Sequence, residues 1–190
     1  MKTLNKMLIF ATMVAVLASC GKEEKKDYTL NDITPLIATY SGSCIISCSD
    51  FSEKKETTQQ TIVRFVKTNE AKALALETNE FGLILQPVIK NFKTSEDGNS
   101  YIFSLDGFEQ SWGGVTAPSY INEWLLGGSN FSSIKSVKAT MQPTSGKYDI
   151  ATKIVTFTYE AKTIVVGTYA SDNESSQTKT ITYQYRVTKN

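Results

Sequence analysis

The chain has 190 residues, with 20 Lys and Arg against 19 Asp and Glu, no His and three Cys. Without histidine there is no Ser-His-Asp or Cys-His catalysis and no His-ligated zinc. A balance this close to neutral lacks the basic excess that nucleic-acid binding needs, and the length suits a single domain with a real core.

The first residues carry Lys2 and Lys6, and 7–17 are apolar apart from Thr12. A basic start, a short apolar run and a small-residue cleavage site predict a signal peptide over 1–19, too short to span a bilayer comfortably. Leu17-Ala18-Ser19-Cys20-Gly21 resembles a bacterial lipobox, which implies cleavage before Cys20 and lipid on its thiol. Loss of Lys2 and Lys6 leaves acids one ahead of bases. The charged run 21–27 reads as solvated, and 20–34 as a flexible tether. Within it, Lys22-Glu23-Glu24 resembles the lysine-plus-two-acids tag of Bacteroides-group lipoproteins, which implies export to the cell surface. The periplasmic face of the outer membrane is the alternative address. The implied partner is the membrane, held through the Cys20 lipid.

From Tyr40 the chain settles into period two: Tyr40, Gly42, Cys44, Ile46 and Cys48 alternate with small polar residues and Ile45. Residues four apart on a strand share a face about 13 Å apart, beyond the ~7 Å Cα limit for bridging, so Cys44 and Cys48 are expected as buried, unbridged thiols. A polar loop over 50–57 precedes a β-branched strand over 61–67. Ala71 to Leu76 alternates between turn signals and reads as a strand, although its propensity permits a helix. The apolar run 82–92 contains Pro87, which cannot donate to a ladder and predicts an edge or bulge there. Glu96-Asp97-Gly98-Asn99 is a turn, and Tyr101, Phe103 and Leu105 mark the next strand.

Residues 107–132 break the pattern. They hold both tryptophans, Trp112 and Trp124, with Phe108, Tyr120 and Phe131, and the glycine pairs Gly113-Gly114 and Gly127-Gly128. Residues 118–126 read as a short helix with Ile121, Trp124 and Leu125 on one face and Gly127 as its stop. Strands resume over 133–142, with a turn at 143–146. They continue through Val155, Phe157 and Tyr159 and over 163–169. After a polar loop over 171–177 comes the last strand, marked by Ile181, Tyr183, Tyr185 and Val187.

About eight to nine evenly spaced strands with one short helix predict an all-β domain over 35–190, an antiparallel barrel or a sandwich. The order resembles the lipocalin-like or calycin-like β-barrel lipoproteins of the Bacteroides group. The resemblance is carried by the lipobox at Cys20, the opening Tyr40-Ser41-Gly42, and Gly146-Lys147-Tyr148-Asp149 leading into a strand that ends at Glu160. The departure is the long aromatic segment 107–132.

The acids Glu77, Glu80, Asp106, Glu109, Glu123 and Glu160 are scattered and read as surface residues, with no pair placed at glycosidase spacing. Asp97 with Asn99, and Asp172-Asn173-Glu174, lack the spacing of a calcium loop and read as turns. No metal or other cofactor is implied. The candidate ligand residues are Trp112, Tyr120 and Trp124, whose ring faces suit a small apolar or glycan-like molecule. The competing reading makes Ile121 and Trp124 a core plug at one end of a barrel, with Trp112 the more exposed ring. The function expected is a non-enzymatic binding module. An adhesin-like or inhibitor-like domain that holds a macromolecule through its loops is the alternative.

Overall fold

The computed structural model describes residues 33–126 and 131–190, with 83–87 described by backbone only. Cys20 and the Lys22, Glu23 and Glu24 tag lie outside the described residues, as does the helix stop at Gly127. The described elements are β1 (Thr39–Cys48), β2 (Lys55–Lys67), β3 (Leu74–Thr78), β4 (Gly82–Thr94), β5 (Ser100–Leu105), β6 (Glu109–Gly113), α1 (Ser119–Leu125), β7 (Ser133–Met141), β8 (Thr144–Asp149), β9 (Ile154–Thr168) and β10 (Glu174–Lys189).

All strand ladders are antiparallel. The order β10-β1-β2-β3-β4-β5-β8-β9 returns to β10, so these strands close a barrel-like ring. Closure leaves no open edge within the ring. β7 and β6 extend from it, because β9 gives the first part of one edge to β8 and the rest to β7. The expected all-β antiparallel fold is the one observed.

Period two builds the interior. Val155, Phe157, Tyr159, Ala161, Thr163 and Val165 of β9 are buried while the residues between them are less so. Tyr40, Cys44, Ile46 and Cys48 of β1 and Ile181, Tyr183, Tyr185 and Val187 of β10 do the same. Aromatic rings fill the space in edge-to-face and stacked pairs, among them Phe157 on Tyr185 at 4.4 Å and Phe108 on Tyr159 at 5.3 Å. Cys44 and Cys48 are buried and unbridged.

The ring is closed by a plug at each end. The turn Thr34–Leu36 lies where β1 begins and β10 ends: its Leu36 is fully buried, the Tyr40 hydroxyl donates to the Leu36 carbonyl at 3.0 Å, and Lys189 Nζ donates to the Pro35 carbonyl at 3.2 Å. α1 lies at the other end, where Trp124 meets Phe51 of the β1–β2 loop.

The strand boundaries depart from the sequence reading in a systematic way. Thr144 to Gly146 is not a turn but the start of β8. Pro143 interrupts hydrogen bonding, yet β7 and β8 lie along the same edge of β9, so the chain runs on past the break. β2 and β10 begin inside the expected polar loops, at Lys55 and Glu174, because their partners Cys48 and Thr168 continue the ladders. The runs at 155–159 and 163–169, expected as two strands, are the single β9, because β10 pairs with it without a break. β8 and β6, the latter within the segment expected to be irregular, are additional, so the described strands number ten. Pro87 falls where predicted: the β3–β4 register slips between Leu74↔Ile89 and Leu76↔Ile84.

Candidate functional site

α1 positions two of the three candidate rings. Pro118 precedes it, and its N-terminus has no side-chain cap. A helix of this length without a cap is held by packing and not by its own propensity. Tyr120, Ile121, Trp124 and Leu125 are all buried. Burial of each such side chain contributes about 1.5–3 kcal/mol. Tyr120 and Trp124 touch at 5.3 Å between ring centres. Trp112 is on β6 opposite Val137, half-buried against the core. The structure therefore joins Tyr120 to Trp124 under α1 and leaves Trp112 on an end strand of the sheet.

Beneath α1 is a set of polar groups that the sequence reading missed. The Tyr120 and Tyr183 hydroxyls share a hydrogen bond of 2.7 Å, with both residues buried. The β3–β4 turn feeds in a carboxylate. Gly82 adopts φ +71°, a left-handed conformation that suits glycine, and the Phe81 amide donates to Thr78 Oγ1 at 3.1 Å. This turn aims Phe81 at Tyr183, 4.9 Å between rings, and carries Glu80 with it. Thr61 Oγ1 donates to Glu80 Oε2 at 2.9 Å and the Tyr185 hydroxyl donates to the same oxygen at 3.0 Å. Glu80 Oε1 is buried and has no hydrogen-bond partner among the described residues.

Reading Glu80 as a surface acid is thus corrected. It sits in a turn, where period two assigns no face. Cys44 lies opposite Tyr185 in the β1–β10 register. Burial first, then the Glu80 charge, pushes the Cys44 thiol far above its ordinary range. Burial likewise raises the Tyr120, Tyr183 and Tyr185 phenols. At neutral pH these groups are uncharged, so the phenols can donate protons in hydrogen bonds, and the thiol is a poor nucleophile.

The other acids behave as read. Glu77 pairs with Arg64 at 3.2 Å, Asp106 with Lys90 at 2.9 Å and Glu109 with Lys138 at 2.9 Å, while Glu123 and Glu160 are exposed. Asp97 closes a turn: its carboxylate accepts from Ser95 Oγ at 2.6 Å and from the Asn99 amide at 3.0 Å. Those bonds, Ser95 first, lower its pKa from 3.8 to about 2. Asp172 and Asn173 form the β9–β10 turn, with the Asp172 amide donating to the Tyr169 carbonyl at 3.0 Å. Among the described residues no three His, Cys, Asp or Glu side chains gather as a metal site would require.

Comparison with protein-family models, with curated proteins and with solved structures finds no match.

Proposed function

We propose that the chain is an outer-membrane lipoprotein, anchored through lipid on Cys20, whose lipocalin-like β domain is a non-enzymatic binding module for a small apolar or glycan-like ligand. The tag at Lys22, Glu23 and Glu24 directs it to the cell surface. The observation that carries the binding role is the α1 end of the ring, where Tyr120, Trp124, Phe81 and Tyr183 pack on one another and the turn that carries Phe81 also carries Glu80, whose Oε1 is buried without a partner among the described residues. An apolar lining with a few convergent polar groups is the usual make-up of a small-ligand site. A module of this kind needs no nucleophile, which agrees with a chain that has no histidine and whose buried Cys44 stays neutral.

Hydrogen exchange of the full chain, with and without lipid and glycan extracts, tests this reading. Protection on ligand addition is expected at 79–81 and 107–126. Protection confined to the outer wall, or none with any extract, counts against it. For the anchor, Cys20→Ser is expected to abolish palmitate labelling and release the protein from the membrane fraction. Continued labelling removes the lipidation site from Cys20.

A macromolecular partner is the second reading, and specific observations favour it. The described interior is filled with rings, Val115 in the Gly114–Thr116 turn is fully exposed, and β6 ends the strand order, with β7 as its one ladder partner among the described residues. Val115→Asp would then abolish binding to the partner and leave small-ligand protection untouched.

A further inference from the structure

We propose that Glu80 Oε1 is the anchor for a primary ammonium group carried on a small apolar body. The proposal rests on the binding-module reading and names the ligand's chemistry.

A carboxylate inside a protein is costly unless a charge or several donors compensate it. Thr61 and Tyr185 supply two donors, both to Oε2, and Oε1 is left without one among the described residues. Glu80 forms no ion pair with a described residue, and, unlike exposed Glu53 and Glu160, which also form none, it has a carboxylate oxygen shut off from water. The missing component is therefore a cation.

The surroundings select which cation. Phe81 follows Glu80 in the chain and packs on Tyr183 and Phe108, and Tyr185 stacks on Phe157. Aromatic faces attract a desolvated cation. Phenol oxygens can accept from the remaining N–H groups of an ammonium that has given one to Oε1. An alcohol of the same shape satisfies the oxygen but leaves the charge, and a carboxylate ligand is repelled. Oε1 is closed to solvent, but Glu80 is half-buried on a turn beside exposed Asn79, so it lies one residue from the solvent-facing rim.

The test is calorimetric titration of the full chain in a non-ionic detergent with 2-phenylethylammonium, 2-phenylethanol and phenylacetate. The ammonium is expected to bind about tenfold or more tightly than the alcohol, with no binding of phenylacetate. Glu80→Gln should bring ammonium and alcohol to equal affinity. If alcohol and ammonium bind the wild type alike, the proposal fails and the binding module survives. If none of the three binds, the proposal fails, and exchange protection with extracts judges the module separately. Should Glu80→Gln not fold, the side-chain carboxyl carbon resonance of Glu80 in the wild type decides. It is expected to shift on ammonium addition and not on alcohol addition, and an unmoved resonance overturns the proposal.

Discussion

Glu77 and Glu80 flank the same turn and have opposite fates. Glu77 lies on β3, where alternation assigns it to the outer wall beside Arg64. Glu80 lies past the strand end, and the turn rolls it inward. Strand residues were legible from pattern, and a turn residue was not, because its direction depends on Gly82 φ and on the Thr78 hydroxyl. The tryptophans were more legible. Three-and-four spacing put Trp124 with Ile121 and Leu125, and all three are buried. Trp124→Ala is expected to cost ~3–5 kcal/mol in urea unfolding, against less for half-buried Trp112→Ala. Acrylamide is expected to quench Trp112 more strongly than Trp124 in the single-tryptophan variants, and equal quenching would contradict this placement. Asp97 gives a pH test. Its folded pKa is depressed, so its contribution to stability is present above its ordinary 3.8 and is lost as pH falls towards about 2. Carboxyl NMR titration should give a midpoint near the lower value, moving up in Ser95→Ala.

At the scale of elements, the helix, most strands and the bulge at Pro87 could be read from the chain. What failed were hairpin tips, one break, the start of the strand expected over 71–76, where 71–73 lie before β3 and Lys72 is left-handed, and the division of β9 into two strands. The tip of β10, from Glu174, is polar on both faces because it rises beyond the core, so hydrophobicity carries no strand signal there. β6 alternates exposed with half-buried residues because it ends the strand order beside β7. Pro143 gave a true signal of lost hydrogen bonding, but β9 holds the chain straight on both sides of it. Two glycines separate conformation from space. Gly82 is left-handed with open space around it, and Gly146 faces the Phe103 ring with no room for a Cβ. Gly82→Ala is expected to cost ~1–2 kcal/mol through backbone strain, and Gly146→Ala ~1–3 kcal/mol through overpacking. Phe103→Leu should offset part of the second cost and none of the first. Equal coupling of both glycines to Phe103, measured by urea unfolding of the double variants, would contradict the distinction.

At the scale of the molecule, the two ends of the ring differ. The Leu36 end is fastened by hydrogen bonds to backbone carbonyls from Tyr40 and Lys189. The α1 end is covered by an uncapped helix whose described polar tie into the ring is Tyr120 to Tyr183. Ring closure follows from strand length and alternation, which the sequence displays. The carboxylate under α1 follows from a turn and a hydroxyl pair far apart in sequence, which it does not. The claim that this end receives a small ligand is tested most directly by native mass spectrometry of the mature chain equilibrated with lipid and glycan extracts. The account predicts a retained mass in the wild type that is weakened by Glu80→Gln and unaffected by Val115→Asp. A bare chain with every extract would contradict it.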